Sequence, residues 1–224
     1  MIKAITCLML FMLFSHMSYA QEQINYDESN VPDYTLPALF ETADGQQADT
    51  RDRWESQRRP EIIRLFEEHV YGQVPRHFTS VNFELVNENR EALEGSAHLK
   101  EVDISVIRNG NSVTIRLNLF IPNSVNGPAP VFLLINNRGP ETMDPTRKIQ
   151  RDFWPVEEII PRGYAAGVFD IDDVSVDDAD SFHNGILELL YPEQLKQPDG
   201  MRSLSAWAWG AMRIMDYFEH DREI

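Results

Sequence analysis

The chain of 224 residues is strongly acidic, with 36 Asp and Glu against 20 Lys and Arg and a net charge of −16. A surface of this sign repels other polyanions, so the charge argues against nucleic acid or anionic lipid as a partner. The one cysteine, Cys7, lies in an apolar stretch near the amino terminus, which leaves the rest of the chain without disulfides.

The first twenty residues predict a secretory signal peptide. Lys3 precedes an apolar run over residues 4–14, and Ser18 and Ala20 provide small residues at the −3 and −1 positions of a cleavage site. The alternative is an uncleaved anchor, but the apolar run is short for a membrane span. We therefore expect cleavage after Ala20, export to the periplasm or the outside of the cell, and no membrane association afterwards.

Residues 21–50 carry prolines and scattered acids with little periodicity, which favours an extended arm. The segment "DRWESQRRPEIIRLFEEHVYG" predicts a helix, with Pro60 in its first turn and Gly72 as its carboxyl-terminal cap. Four residues share one face at helical spacing: Ile62, Leu65, Phe66 and His69. In that position His69 is predicted to be a packed, hydrogen-bonded histidine and not a metal ligand.

Alternating strands follow in "VNFELV", "HLKEVDISVI" and "SVTIRLNLFI". The last two are joined across Asn109-Gly110, a dipeptide that favours the tight turn of a hairpin. Their strict alternation predicts antiparallel strands with one face on the core and one face in water.

The pattern then changes to continuous apolar runs. "PVFLLIN" and "YAAGVFD" predict strands buried on both faces, and "WPVEEIIPRG" between them predicts a short helix ended by Pro161 and Gly163. Strand, helix and strand in this order form a βαβ unit with parallel strands. Antiparallel strands that lead into such a unit predict an α/β fold, with an α/β hydrolase among the candidates.

The last long segment predicts a helix that follows a Pro-Asp-Gly turn. Six residues are predicted to form its buried face, with the two alanines allowing close approach to a sheet: Leu204, Trp207, Ala208, Ala211, Met215 and Phe218. Core packing is the preferred role of Trp207 and Trp209, and helix capping that of Ser203 and Ser205.

Motifs that carry chemistry are scarce. The sequence holds no Gly-x-Ser-x-Gly elbow, no His-Glu-x-x-His pair and no glycine-rich phosphate loop, so it predicts no metal site, no cofactor and no catalytic residue.

Two loops after the buried strands are candidates for the border of a site. In "NNRGPETMD", Asn137, Arg138 and Gly139 follow the strand whose loop often contributes to the oxyanion hole of α/β hydrolases. The alternative is that Arg138 pairs with nearby acids and Gly139 only makes the turn. In "DIDDVSVDDADSFHNG", six aspartates do not match a calcium loop, so a solvated loop beside the site is favoured.

Four segments in this order resemble the amino-terminal half of the glucuronoyl methylesterase family of carbohydrate esterases, including bacterial members similar to acetyl xylan esterases. They are "RRPEIIRLFEEHVYGQVP", "PVFLLINNRG", "FWPVEEIIPRGYAAGVFDIDDV" and "SLSAWAWGAMRIMDYFEHD". The resemblance implies an α/β-hydrolase three-layer sandwich over residues 51–224, truncated before the nucleophile strand.

The family resemblance also implies a function. Its members are serine esterases without a metal that cut glucuronate esters of plant cell-wall glycans, such as lignin links on glucuronoxylan. Their Ser–His–Glu/Asp triad matches no position here, so the chain alone is expected to be inactive. The alternative is a non-catalytic exported protein that binds a glycan or another partner through Trp54, Trp154, Trp207 and Trp209.

Overall fold

The computed structural model describes residues 25–224, so the predicted signal peptide lies outside the described residues. Five strands form one sheet in the order β1-β2-β3-β5-β4. Their bounds are Ser80–Ala92 (β1), Ala97–Arg108 (β2), Asn111–Pro122 (β3), Val131–Asn136 (β4) and Ala165–Asp170 (β5). β1, β2 and β3 are antiparallel neighbours, β3 pairs antiparallel with β5, and β4 pairs parallel with β5.

The hairpin between β2 and β3 is the one predicted from Asn109-Gly110. Arg108 pairs with Asn111 across the turn, and both turn residues have positive φ, 53° at Asn109 and 84° at Gly110. Positive φ at both central positions is the primed turn whose twist matches that of the strands. The prediction is confirmed.

The parallel pair of β4 and β5 confirms the predicted βαβ unit. The connection contains a 3₁₀ turn at Pro140–Met143, a short helix at Val156–Ile159 and a second 3₁₀ turn at Ile160–Arg162. Gly163 ends it in the left-handed conformation, with φ 81°. A left-handed residue at this position favours glycine because it has no Cβ.

Burial of β4 differs from the prediction. β5 lies between β3 and β4, and its residues 165–169 are buried. In contrast, β4 lies at the end of the strand order, and Phe132 is 58% exposed. A strand is buried on both faces only where other elements cover it, and within residues 25–224 no strand pairs with the outer side of β4.

Layers on both faces of the sheet make the three-layer α/β arrangement. One face packs against the final helix, Ser203–Phe218, and the short helix Ile186–Leu189; the opposite face packs against Trp154 and the helix Val156–Ile159. β3 shows the division, because Leu117 and Leu119 face the first layer and Phe120 faces the second. This is the period-two alternation of a strand.

The final helix buries a different face from the one predicted. Of the six predicted residues only Phe218 is buried, and Leu204 and Met215 are 58% and 50% exposed. Gly210 lies against the sheet, where an added Cβ would be 3.0 Å from Phe169 Cε2. The helix is apolar on most of its surface, so periodicity did not single out one face. Eight residues are buried: Ser205, Ala206, Trp209, Gly210, Arg213, Ile214, Tyr217 and Phe218.

The first helical segment starts earlier than predicted. Thr50 caps Arg51–Arg53, a π-helical turn follows at Trp54–Arg58, and an α-helix at Arg59–Phe66 leads into a second π turn at Glu67–Tyr71. Pro60 thus lies inside the segment and not in its first turn. Proline lacks an N–H and crowds the preceding turn, which accounts for the wider turn just before it. Gly72 ends the segment as predicted, with φ 82°.

The apolar face of this segment is largely open. His69 is exposed, so the prediction of a packed histidine is wrong. Five apolar side chains beside it are also exposed: Ile63, Leu65, Phe66, Val70 and Tyr71.

Residues 25–50 contain one 3₁₀ turn, Glu28–Asn30, and an isolated bridge between Glu41 and Gln47. Arg58 anchors this part of the chain by donating to the carbonyl oxygens of Ala38 and Leu39 at 3.1 and 2.9 Å. Within residues 25–224, no helix is both long and apolar enough to cross a membrane.

Candidate functional site

The carboxyl ends of β4 and β5 meet at one edge of the sheet. Their last residues, Asn136 and Asp170, are partners in the parallel register, and Asn136 Nδ2 donates to Asp170 Oδ2 at 2.8 Å. Asn136 is fully buried. Open α/β sheets bind their ligands outside this edge, so the two residues form the floor of the candidate site.

Asn136 also fixes the loop that follows it. Its Nδ2 donates to the Gly139 carbonyl oxygen at 2.9 Å, and its Oδ1 accepts the Arg138 N–H at 3.2 Å. Gly139 has φ 84°, and an added Cβ would lie 2.8 Å from a carboxylate oxygen of Glu141. The loop therefore has one firm conformation that requires glycine at position 139.

The predicted border residues Asn137, Arg138 and Gly139 lie together at this edge. Asn137 and Arg138 are exposed and Gly139 is half-buried. Within residues 25–224 the Arg138 guanidinium forms no ion pair; it lies over the ring of Phe153, 5.2 Å from its centroid. The alternative prediction, that Arg138 pairs with nearby acids, is therefore wrong. Its side chain is held by a cation–π contact beside the site.

The donors of this loop are unequal. The Arg138 N–H is bonded to Asn136, whereas the N–H groups of Asn137 and Gly139 donate to no acceptor within residues 25–224. A backbone N–H that is held rigidly and left without a partner is the type of group that stabilises an oxyanion.

Four of the six aspartates in the loop after β5 are exposed, as expected of a solvated loop, but some of the aspartates also bond to the backbone. Asp173 is 9% exposed and accepts the Arg116 N–H at 2.9 Å and the Arg116 Nε at 3.1 Å. Asp178 accepts the N–H groups of Asp180 and Ser181 at 3.1 and 2.9 Å. Asp173 thus accepts from donors in the fold, and Asp178 accepts from the N–H groups of a turn. The spacing of the aspartates in the sequence does not predict either role.

Asp172 lies among other carboxylates at this edge. Burial, followed by the negative charges of Asp170, Asp173 and Asp177, raises the pKa of Asp172 above its ordinary value. Even so, no group of three or more potential ligand side chains in residues 25–224 is placed to hold a metal ion.

The tryptophans and serines near the final helix have structural roles. Trp209 is buried, as predicted for a core residue, whereas Trp207 is half-buried and its indole N–H donates to the Ser175 carbonyl oxygen at 2.7 Å. Trp154 is buried as well. Capping by serine is wrong: Arg202 occupies the cap position without a side-chain bond, and the Ser205 hydroxyl donates to the Tyr71 carbonyl oxygen. No hydrogen bond joins a histidine to a serine in residues 25–224; the ring nitrogens of His98 face Glu88 and Glu223.

The contact that sequence analysis missed is Asn136–Asp170. The signal was available, because each is the last residue of an apolar strand, and the strands were predicted to be parallel. Two parallel strands that are neighbours bring their carboxyl-terminal residues side by side.

No family model matches the chain. A carbohydrate esterase from an unknown prokaryotic organism is 30% identical over 236 aligned residues, which cover 92% of this chain and 54% of that protein. A glucuronoyl esterase from Solibacter usitatus has a TM-score of 0.77 at 32% identity, with 88% of this chain and 57% of that chain covered. A promiscuous CE15 esterase from the marine bacterial metagenome has a TM-score of 0.72 at 29% identity, with 89% and 57% covered.

The chain spans about half the length of these relatives. The similarity covers 88 to 92% of this chain. In sequence and in fold, this chain is thus similar to about half of the length of these esterases, and its mixed sheet with helices is the arrangement of an α/β hydrolase.

Proposed function

We propose that this chain supplies the amino-terminal half of a carboxylic-ester hydrolase of the glucuronoyl esterase type, with a glucuronate ester of a plant cell-wall glycan as its substrate. The observation that carries the proposal is the rigid loop at the carboxyl end of β4, in a fold similar to such esterases over 88% of the chain. The proposal includes export by a cleaved signal peptide, which suits an enzyme for polymers outside the cell.

The described residues have a limited part in such a reaction. Acyl transfer to a serine places negative charge on the former carbonyl oxygen, and rigid N–H donors lower the energy of that state. Asn136 holds the loop, and the free N–H groups of Asn137 and Gly139 are the donors that the chain offers. The serine, histidine and acid of the triad have no counterpart here, so we expect the chain alone to leave the ester intact.

A chimera tests this proposal. Residues 25–224 are joined to the carboxyl-terminal remainder of the Solibacter usitatus esterase, and hydrolysis of a methyl glucuronate ester is measured. We expect turnover that a serine-directed inhibitor stops, and none from the chain alone or from the remainder alone. A folded chimera without turnover would contradict the proposed activity, and turnover by the chain alone would contradict its inactivity. Sequencing the gene beyond the Ile224 codon provides an independent check.

The second candidate, a binding protein that uses tryptophan platforms, is less well supported. Trp154 and Trp209 are buried in the two core layers, and Trp207 has its indole N–H bonded to the backbone. A stacking platform requires an open ring face. These three rings therefore offer little of the surface on which that function depends.

A further inference from the structure

A groove lies on the face of the sheet that carries Trp154, and its lining includes none of residues 136–139 and not Asp170. Its main cavity of about 440 Å³ lies between the end of β1, the turn into β2 and the loop at residues 145–147. A second cavity of about 310 Å³ continues on the other side of the same turn. Leu93 and Glu94 line both cavities. Each cavity alone reaches the volume of about 300 Å³ at which single ligand sites start.

The groove has a built wall in the ion pair of Arg147 and Glu157. Arg147 is 7% exposed; its Nε and Nη2 donate to the two carboxylate oxygens of Glu157 at 2.9 and 2.8 Å. Arg147 lines the larger cavity and Glu157 the smaller one. Within residues 25–224 the buried Arg147 Nη1 has no hydrogen-bond partner. A buried donor without a partner is costly unless a ligand or a water satisfies it.

Unusual backbone conformations gather at the same groove. Leu93, Glu94 and Arg147 have φ of 51°, 57° and 55°, and they are three of the four non-glycine residues with positive φ in residues 25–224. Asn123 fixes the turn by donating to the carbonyl oxygens of Arg90 and Gly95 at 2.9 and 3.0 Å. Such conformations persist only where the surroundings enforce them, and they concentrate at ligand sites.

The lining selects the class of ligand. The guanidinium of Arg147 is neutralised by Glu157, so the remaining carboxylates of Glu91 and Glu94 make the rim negative and unsuited to an anion. Polar donors and acceptors alternate with an apolar wall, as a molecule with many hydroxyls and C–H faces requires. The polar residues of the rim are Asn87, Asn89, Glu91, Glu94 and Thr146, and the apolar wall is Ala92, Leu93, Leu99, Phe120 and Pro145.

We propose that this groove binds a neutral stretch of a polysaccharide. Carboxylates of the rim accept from sugar hydroxyls, the Asn89 amide donates to them, and the apolar wall contacts the ring carbons; the Asn87 amide is already bonded to Glu101. The site is separate from the ester-binding edge and does not depend on hydrolysis. It holds the glycan chain by hydrogen bonds to sugar hydroxyls, while the esterified sugar lies at the carboxyl ends of β4 and β5.

Titration with xylohexaose, followed by ¹H–¹⁵N NMR of residues 21–224, tests the proposal. We expect shifts at Leu93, Glu94, Thr146 and Arg147, with a dissociation constant on the order of 1 mM. The double variant Glu91→Ala/Glu94→Gly removes both carboxylates, and glycine suits the positive φ at position 94. We expect it to bind at least about tenfold more weakly.

The matched control is Asn82→Ala/Glu84→Ala, two exposed positions on β1 outside the groove. It should bind like the unaltered chain. Equal binding by the double variant, shifts only at residues 137–139, or tighter binding of an acidic glucurono-oligosaccharide would each overturn the proposal. Absence of shifts would do so too. If the chain alone gives no dispersed spectrum, the same titration is carried out on the chimera. Ester hydrolysis is not measured, so the outcome is independent of the proposed activity.

Discussion

The neighbouring strands β4 and β5 have similar apolar sequences and very different surroundings. β5 is covered on both faces and paired on both sides, whereas β4 pairs only with β5 among the described residues and leaves Phe132 exposed. Burial therefore belongs to the assembled sheet and not to the strand. The other edge strand, β1, is also largely exposed; most of its exposed residues are polar, although Leu85 and Val86 are 50% and 57% exposed.

A pair of matched truncations gives the largest contrast. Phe169→Ala on β5 removes a fully buried ring and should lower the free energy of unfolding by about 3–5 kcal/mol. Phe132→Ala on β4 should change it by less than about 1 kcal/mol, because that ring is already largely in water. Urea unfolding of both variants measures the difference. Equal losses would mean that β4 is covered in solution.

The loop at the end of β4 provides the next contrast. Asn136→Ala leaves the Asp170 carboxylate and the Gly139 carbonyl without their donor, and should cost about 2–3 kcal/mol. Asn137→Ala, one residue along and exposed, should stay within about 0.5 kcal/mol. In the chimera, Asn136→Ala should also lower kcat for ester hydrolysis by a larger factor than it raises KM. An unchanged stability of Asn136→Ala would show that the loop is not held as described.

The two edge strands should differ in self-association. β4 exposes an apolar ring on an unpaired edge, the arrangement that favours contact between chains. Phe132→Lys should weaken concentration-dependent association roughly fivefold, equivalent to about 1 kcal/mol. Val86→Lys on β1, where Val86 is 57% exposed, is the control and should change little, because most of the other exposed residues of that strand are polar and already disfavour association. Sedimentation over a range of concentrations distinguishes the two, and the same result from both would contradict a special role of β4.

The smallest predicted effect is on the pH dependence of stability, and it arises at Asp221, which bonds to Lys100 on β2. Burial alone would raise the pKa of Asp221, but donation from Lys100 and Tyr217 outweighs it and the net pKa is lowered. A lowered carboxyl pKa stabilises the fold above the unfolded value and loses that contribution as the pH falls through the folded value. Asp221→Asn should therefore flatten the loss of stability below about pH 4, where an unfolded aspartate titrates. Thermal unfolding measured between about pH 3 and pH 7, a range that includes the pKa of an unfolded aspartate, tests this. An unchanged dependence of stability on pH in the variant would contradict it.

Local features were predictable from the sequence. Asn109-Gly110 determines a turn through backbone conformation alone. The apolar run of β5 predicts a buried strand, and β5 is buried. The end of the short helical connection at Gly163 was also predictable, because glycine favours the left-handed conformation found there.

Features that depend on distant residues were not predictable. Both sides of the final helix are apolar, so which face is buried depends on its contacts with the rest of the fold, such as that of Gly210 with Phe169. Asp173 is buried because Arg116, on another strand, bonds to it. At the candidate site the border loop could be located from the end of β4. Its rigidity could not, since it comes from Asn136 bonding across to β5.

The unbroken register of the β2–β3 hairpin has a consequence for the order of folding. Pairing runs from Arg108–Asn111 outward to Ala97–Pro122 without a bulge, so each new pair closes only a slightly longer loop. By contrast, β3 meets β5 through Asn118 and Val168, which are separated by the whole connection that contains β4. Contacts between residues close in the chain form faster than remote ones. We therefore expect the hairpin to form first as the chain folds, and β5 to complete the sheet against a template that already exists.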